Sequence, residues 1–300
     1  MENPAHASRR RTLRAVIGYC LAAACLVWLF HDVNWAAIGR DLRGIRWSWV
    51  AVAIALIVLS YGCQGWRWSL LLRPIGALSA FESAQAVYAG LFTNEILPMR
   101  MGEVVRAYLV SRWLGVGVSD VVPSMVVERL FDGVWLALAL GATAIFVERL
   151  PPGLLRAGDI VGALVMAAAA LFAFMVLRKR APRAEPKPES RFILVRKVAR
   201  LAGSLEAGLR EIGRSRTLYV SFGVSAFVLG GQMTAFWLIL RAYGIRLPFW
   251  TGVAAMLIVQ LGTLIPNAPA NVGTYQFFAV VGLELFGVDR NVATGFSLVV

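Results

Sequence analysis

Thr93-Asn94-Glu95-Ile96-Leu97-Pro98-Met99-Arg100-Met101-Gly102-Glu103-Val104-Val105-Arg106 interrupts a stretch from 77 to 115 that is otherwise mainly apolar. How this break is read depends on the solvent around it. The 300 residues are 59% hydrophobic and 16% charged, with a mean hydropathy of +0.68, against about 45–50% and about 25% in soluble domains. Such a chain belongs in a membrane. Irregular backbone at membrane depth survives only where it is buried in protein or lines a wet cavity, because an unpaired peptide group in hydrocarbon costs several kcal/mol. A Pro, a Gly and four charges exceed what a structural turn needs, so the break marks an internal site.

Moving outward from the break, a span requires about 20 mainly apolar residues. Clear candidates are 15 to 31, 48 to 65, 121 to 147, 157 to 177 and 217 to 241. Arg9, Arg10, Arg11 and Arg14 precede the first of these, an arrangement shared by cleaved leaders and retained helices. Leu21-Ala22-Ala23-Ala24-Cys25 has its leucine one place too far from the cysteine for a lipoprotein box, and more spans follow. The first helix is therefore read as retained.

Basic residues in short loops set orientation. The first fourteen residues carry four Arg, and 178 to 216 carries twelve Arg or Lys against four Glu, so both are expected to be cytoplasmic. Five crossings between them would place the second segment outside. Four crossings satisfy the charge rule, so 77 to 115 is predicted to enter and leave from the cytoplasm as a re-entrant hairpin.

A second break, Gly262-Thr263-Leu264-Ile265-Pro266-Asn267-Ala268-Pro269-Ala270-Asn271-Val272-Gly273-Thr274-Tyr275-Gln276, echoes the first. Each has an aliphatic pair, a Pro, a short link and a Gly opening another apolar helix. With 217 to 241 running outward, the stretch 249 to 287 would enter from the outer face. Paired interrupted segments of opposite orientation are the sequence pointer to a transporter whose site lies between its halves.

The predicted fold is thus an all-α polytopic membrane protein of about 7–8 membrane segments, two of them inverted re-entrant hairpins. It divides into a basic cytoplasmic N-terminus, 1–14, a first membrane half, 15–177, a basic linker, 178–216, and a second membrane half, 217–300. The linker combines a stiff Pro-rich stretch at 180–188 with an amphipathic stretch at 191–214. The latter suits either a helix on the cytoplasmic leaflet, against anionic headgroups, or a solvated connector. The apolar run 292–300 is too short to span, which leaves the C-terminal helix in doubt.

The net charge of +13 is absorbed by these topogenic segments, so nucleic acid is not an expected partner. Cys20, Cys25 and Cys63 lie in apolar runs, and His6 and His31 are the only histidines. No metal-ligand spacing results, and neither a metal nor a cofactor is expected. No phosphate-binding Gly-x-x-x-x-Gly-Lys-Ser/Thr loop is present either.

The stretch 121–147 contains Glu128, Arg129 and Asp132, with Asp120 as candidate N-cap and Pro123 in the first turn. Glu128 and Asp132 share a helix face, and Arg129 is placed to pair with Asp132. Ionised groups at such depth usually pair and often mark a transport path. Two readings stay open. In one, the charges tie this helix to the hairpin near the cytoplasmic interface. In the other, the hairpin helix start around Gly102 and Arg106 receives a phosphate while Glu103, Glu128 and Asp132 hold the arginines. Arg67 and Arg73, beside Trp66, Trp68 and Pro74, suit interfacial anchoring, and Arg67 alternatively guides a headgroup toward the hairpin. Asn267, Asn271, Thr274, Tyr275 and Gln276 supply uncharged groups for a headgroup or for their own broken helix.

Taken together, Arg67 with Leu70-Leu71, the stretch Asn94 to Ala107 with its Pro-x-Arg-x-Gly-Glu-x-x-Arg element, Glu128-Arg129-Leu130-Phe131-Asp132, and Ile265-Pro266 to Gly273 resemble the lysylphosphatidylglycerol synthase transmembrane region, or flippase-like, family. The resemblance covers nearly the whole chain. It implies a bacterial or archaeal inner-membrane protein of about eight segments, with relatives that move an aminoacylated phospholipid between leaflets. By matched motif it points to Arg100, Gly102, Glu103, Arg106, Glu128 and Asp132. Relatives that also synthesise the lipid carry a separate soluble transferase domain, for which this sequence offers no candidate.

The expected function is accordingly a lipid transporter in the bacterial inner membrane, N-terminus cytoplasmic, for an anionic, aminoacylated or lipid-linked headgroup. Its substrate site is expected from Arg67, Arg100, Gly102, Glu103, Arg106, Glu128, Asp132, Asn267, Asn271 and Gly273. Partners are a phospholipid or lipid-linked substrate and anionic lipid at the basic segments, and a homo-oligomer is compatible with it. The alternatives are a membrane-embedded lipid-modifying transferase, with Glu103 or Asp132 as general base, and an accessory subunit of a lipid-synthesis enzyme. The sequence leans away from an enzyme.

Overall fold

The computed structural model of the chain describes residues 23–29, 31, 35–96, 101–148, 150–177, 203, 205–263 and 271–300. These form helices and connecting turns, with no strand among them. In chain order the helices are α1 (Trp35–Arg43), α2 (Trp47–Leu72), α3 (Ala80–Ile96), α4 (Gly102–Leu114), α5 (Val118–Phe146), α6 (Pro152–Leu177), α7 (Thr217–Ala242), α8 (Phe249–Gly262), α9 (Thr274–Glu284) and α10 (Arg290–Val299). Residues 23–29 and 205–213 are also helical.

Four described helices, α2, α5, α6 and α7, are long and apolar enough to cross a membrane. They match four of the spans expected from the sequence, and the fifth, 15 to 31, lies largely outside the described residues. With 26 to 29 residues each, they rise about 39–44 Å, beyond the roughly 30 Å hydrocarbon core.

α2 and α7 run antiparallel as the central pair. At one end the Arg46 amide donates to the Ala242 carbonyl at 3.0 Å, and at the other the Thr217 hydroxyl donates to the Leu70 carbonyl at 3.1 Å. Small residues allow this approach. A Cβ on Gly231 of α7 would stand 2.3 Å from the Ser60 hydroxyl of α2.

Each end of this pair carries two short helices folded together. α3 and α4, 17 and 13 residues, follow the Leu72 end of α2. α8 and α9, 14 and 11 residues, follow Ala242, which lies at the Trp47 end. None of the four reaches the length of a full span. The core divides the same way. Trp68, Leu71 and Leu72 pack with Ala86, Val87, Val110, Val127 and Phe131 at one end. Ile45 and Ala53 belong with α7, α8, α9 and α10 at the other.

Local chemistry explains the boundaries. α3 opens with Ser79 and Glu82 as a reciprocal cap: the Ser79 amide donates to Glu82 Oε2 at 2.9 Å and the Glu82 amide to Ser79 Oγ at 3.1 Å. α4 ends at Gly115, with φ +68°, where only glycine is unstrained. α5 begins one turn earlier than expected. The Gly117 amide donates to Asp120 Oδ2 at 3.1 Å, so Asp120 acts from the third helical position rather than as the N-cap, and Pro123 falls inside the helix.

The end of the basic linker also departs from both sequence readings. Leu209 and Ile212 are buried, and Cβ atoms on Gly208 and Gly213 would press on Pro123 of α5 and Val176 of α6. The apolar face of 205–213 is therefore spent on protein, and the rest of that amphipathic stretch lies outside the described residues. α6 presents most of its surface outward, with Leu154 its one buried residue.

Candidate functional site

The site is built where α2, α4 and α5 meet, at the Leu72 end. α2 extends to Leu72, seven residues beyond the expected span, so Arg67 lies inside the helix, more than a turn from its end. It is fully buried, which overturns the anchoring reading. Its η nitrogens donate to Glu128 Oε1 at 2.7 Å, to Ser225 Oγ of α7 at 2.7 Å, and to Asp132.

Arg106 of α4 is buried as well and donates to the other oxygen of Glu128. Its guanidinium lies 4.0 Å from the ring centre of Trp68, whose indole N–H donates to Ser124 at 3.0 Å. The stacked ring replaces part of the hydration that burial removes. Gln64 Nε2 adds a third donor to Glu128 at 2.9 Å. Among the described residues, the Nε atoms of Arg67 and Arg106 have no hydrogen-bond partner.

The remaining charges close a circuit. Arg106 approaches Glu103 at 3.9 Å, Glu103 pairs with Arg129, Arg129 bonds Asp132 at 3.2 Å, and Asp132 returns to Arg67. Arg67, Glu128, Arg106, Glu103, Arg129 and Asp132 thus form a closed ring of alternating sign, three cations and three anions.

The ring has two unlike halves. Arg67, Arg106 and Glu128 are at most 4% exposed, whereas the side chains of Arg129, Glu103 and Asp132 are 54%, 38% and 33% exposed. Arg129 lies eleven residues into α5, about 16 Å along its axis. Ionised groups at that depth do not face hydrocarbon; they face protein, water or a polar ligand.

The hairpin positions Arg106 by close approach of its two helices. A Cβ on Gly102 would stand 2.0 Å from the Gly90 carbonyl oxygen, and one on Gly90 would stand 2.8 Å from Cγ of Arg106. Asn94 Oδ1 accepts the Gly102 amide at 2.8 Å. The helix start expected to receive a phosphate therefore has its first amide engaged by its own hairpin.

Of the expected site residues, the structure brings together Arg67, Gly102, Glu103, Arg106, Glu128 and Asp132. Arg100 and Asn267 lie outside the described residues. Asn271 and Gly273 sit at the head of α9, in the second hairpin, with φ of +53° and +84°. Gln276 Oε1 accepts the Gly273 amide at 2.7 Å, so this residue serves its own helix start. Gln64, Trp68 and Ser225 are site residues that sequence reasoning passed over, and Arg129 entered it as the partner of Asp132 and as one of the charges tying α5 to the hairpin, not as a substrate contact. The signal was present for one of them: Ser60, Gln64 and Arg67 repeat at helical spacing along an otherwise apolar α2.

The fold and the ring define a multi-pass membrane protein with ionised side chains gathered between its helices. The chain belongs to the family described as the lysylphosphatidylglycerol synthase transmembrane region, whose model matches residues 15–300. That membership ties it to lipid metabolism. It is also similar to a UPF0104 membrane protein of Methanocaldococcus jannaschii, 23% identical over 205 residues that cover 66% of this chain and 82% of the relative.

Proposed function

We propose that the protein is a lipid transporter of the bacterial inner membrane, and that the charge ring is where it engages a polar headgroup while the acyl chains stay in the bilayer. The observation that carries this reading is the exposed half of the ring. Three charged side chains accessible within the length of a membrane helix call for a polar occupant, and a lipid headgroup is the one a membrane supplies.

On this reading the N-terminus and the 178–216 linker are cytoplasmic, and α3–α4 is a re-entrant hairpin from that side. α8–α9 is its inverted counterpart from the outer side, bringing the count to seven or eight membrane segments. The opposite ends at which the two pairs open support this arrangement. α4 is tied to α2 and α5 through Arg106 and Glu128, so headgroup binding that loosens the exposed links would free the hairpin to tilt. The substrate is a phospholipid or lipid-linked headgroup, in keeping with the family's name.

The test is leaflet exchange of labelled phospholipids in proteoliposomes. Wild-type protein should accelerate exchange. A Glu103→Gln variant, which opens the ring at an exposed link, should slow it by about tenfold or more, at equal incorporation. Absence of exchange with every headgroup tried would sink the transporter reading, and full activity in Glu103→Gln would sink the site.

A further inference from the structure

The ring's charge balance constrains what can enter it. Among the described residues, three cations and three anions satisfy one another, so the ring itself carries no excess of positive charge for an anion to neutralise. An anionic headgroup binding at one arginine displaces a carboxylate and leaves the site with one uncompensated negative charge inside the length of a membrane helix. A headgroup that brings its own ammonium avoids this penalty. Its phosphate takes the arginine, its ammonium takes the displaced carboxylate, and the circuit stays closed and neutral with two more links.

Exposure decides where the circuit opens. Arg67 and Arg106 are sealed behind Trp68, Ser225 and Gln64, whereas Arg129 is 54% exposed between two half-exposed carboxylates. One η nitrogen of Arg129 holds Glu103 and the other holds Asp132. This is the fork that also matches two oxygens of a phosphodiester.

We infer that the exposed arc of the ring is a binding site for a zwitterionic headgroup, a phosphodiester bearing one ammonium, with Arg129 contacting the phosphate and Glu103 or Asp132 the ammonium. Arg67, Arg106 and Glu128 are then positioning residues that hold the arc in place. The inference rests on the ring being the headgroup site and goes beyond that reading in naming the charge type and the contacting arginine.

The experiment is binding of dihexanoyl phosphatidylethanolamine and dihexanoyl phosphatidylglycerol to the purified full chain in detergent, followed by native mass spectrometry. The zwitterion should bind about tenfold or more tightly than the anion. Arg129→Gln should lose that preference, and Arg129→Lys should recover part of it. The thermal midpoint of Arg129→Gln reports whether the variant is folded. Should that variant unfold, the wild-type ratio alone decides.

Equal or tighter binding of phosphatidylglycerol, binding of neither lipid, or an unchanged preference in a folded Arg129→Gln protein would overturn the inference. Selective binding without leaflet exchange would leave it standing and remove the transporter reading. Exchange without selective binding would do the reverse.

Discussion

Glu128 is the residue on which the sealed half of the ring depends. It accepts from Arg67, Arg106 and Gln64, so Glu128→Gln leaves two buried guanidinium groups without a shared anion. Breaking a buried pair by removing one partner costs about 3–5 kcal/mol, and a loss of this size is expected in denaturant unfolding of the detergent-solubilised protein. Arg129→Gln, on the exposed half, leaves Glu103 and Asp132 still paired with Arg106 and Arg67 and should cost less than Glu128→Gln in the same measurement. Equal effects of the two would contradict the division of the ring. Glu128, Asp132 and Arg106 were legible from sequence because charges inside an apolar run must find one another. The burial of Arg67 was not, since a basic residue near Trp66 and Trp68 reads as an interfacial anchor until the length of α2 is known.

At the scale of elements, the first hairpin depends on two glycines that let α3 and α4 touch backbone to backbone. Gly102→Ala places a methyl carbon 2.0 Å from the Gly90 carbonyl, and the helices must part, drawing Arg106 away from Glu128. Overpacking of this kind costs about 1–3 kcal/mol or more, visible as a lowered thermal midpoint. Gly141→Ala in α5, where an added Cβ meets nothing within 4 Å, should be neutral or slightly stabilising by the same measurement. Pro98 and Gly102 marked this break in the sequence because each restricts helix in its own way. The start of α5 was misjudged by one turn because Asp120 caps equally well from either position, and only the Gly117 amide decides between them. The linker's apolar face carried no indication of whether lipid or protein would cover it.

For the whole molecule, the expectation of an all-helical membrane fold followed from composition, since a chain this apolar must satisfy its peptide groups internally. The pairing of α2 with α7 was not legible, because hydroxyl and glycine contacts such as Ser60 with Gly231 leave no periodic signature in either helix. The proposed opposite entry of the two hairpins is open to labelling from each side of the membrane, after replacing Cys20, Cys25 and Cys63. Arg73→Cys and Arg112→Cys, at the open end of α3–α4, should react only with reagent on the cytoplasmic side. Arg246→Cys and Leu285→Cys, flanking α8–α9, should react only from the outer side. Labelling of all four from one face would rule out the inverted arrangement.

The alternation of sign around the ring also has an electrical consequence. A lone arginine moved through the membrane field exchanges about 2.3 kcal/mol with it for each 100 mV. Three cations linked to three anions and moving together exchange almost none. A hairpin that carried its two members of this circuit, Glu103 and Arg106, through the field would be voltage-silent, because their charges cancel. On the proposed function, a zwitterion in the ring would add no gating charge, and leaflet exchange should be indifferent to the resting potential.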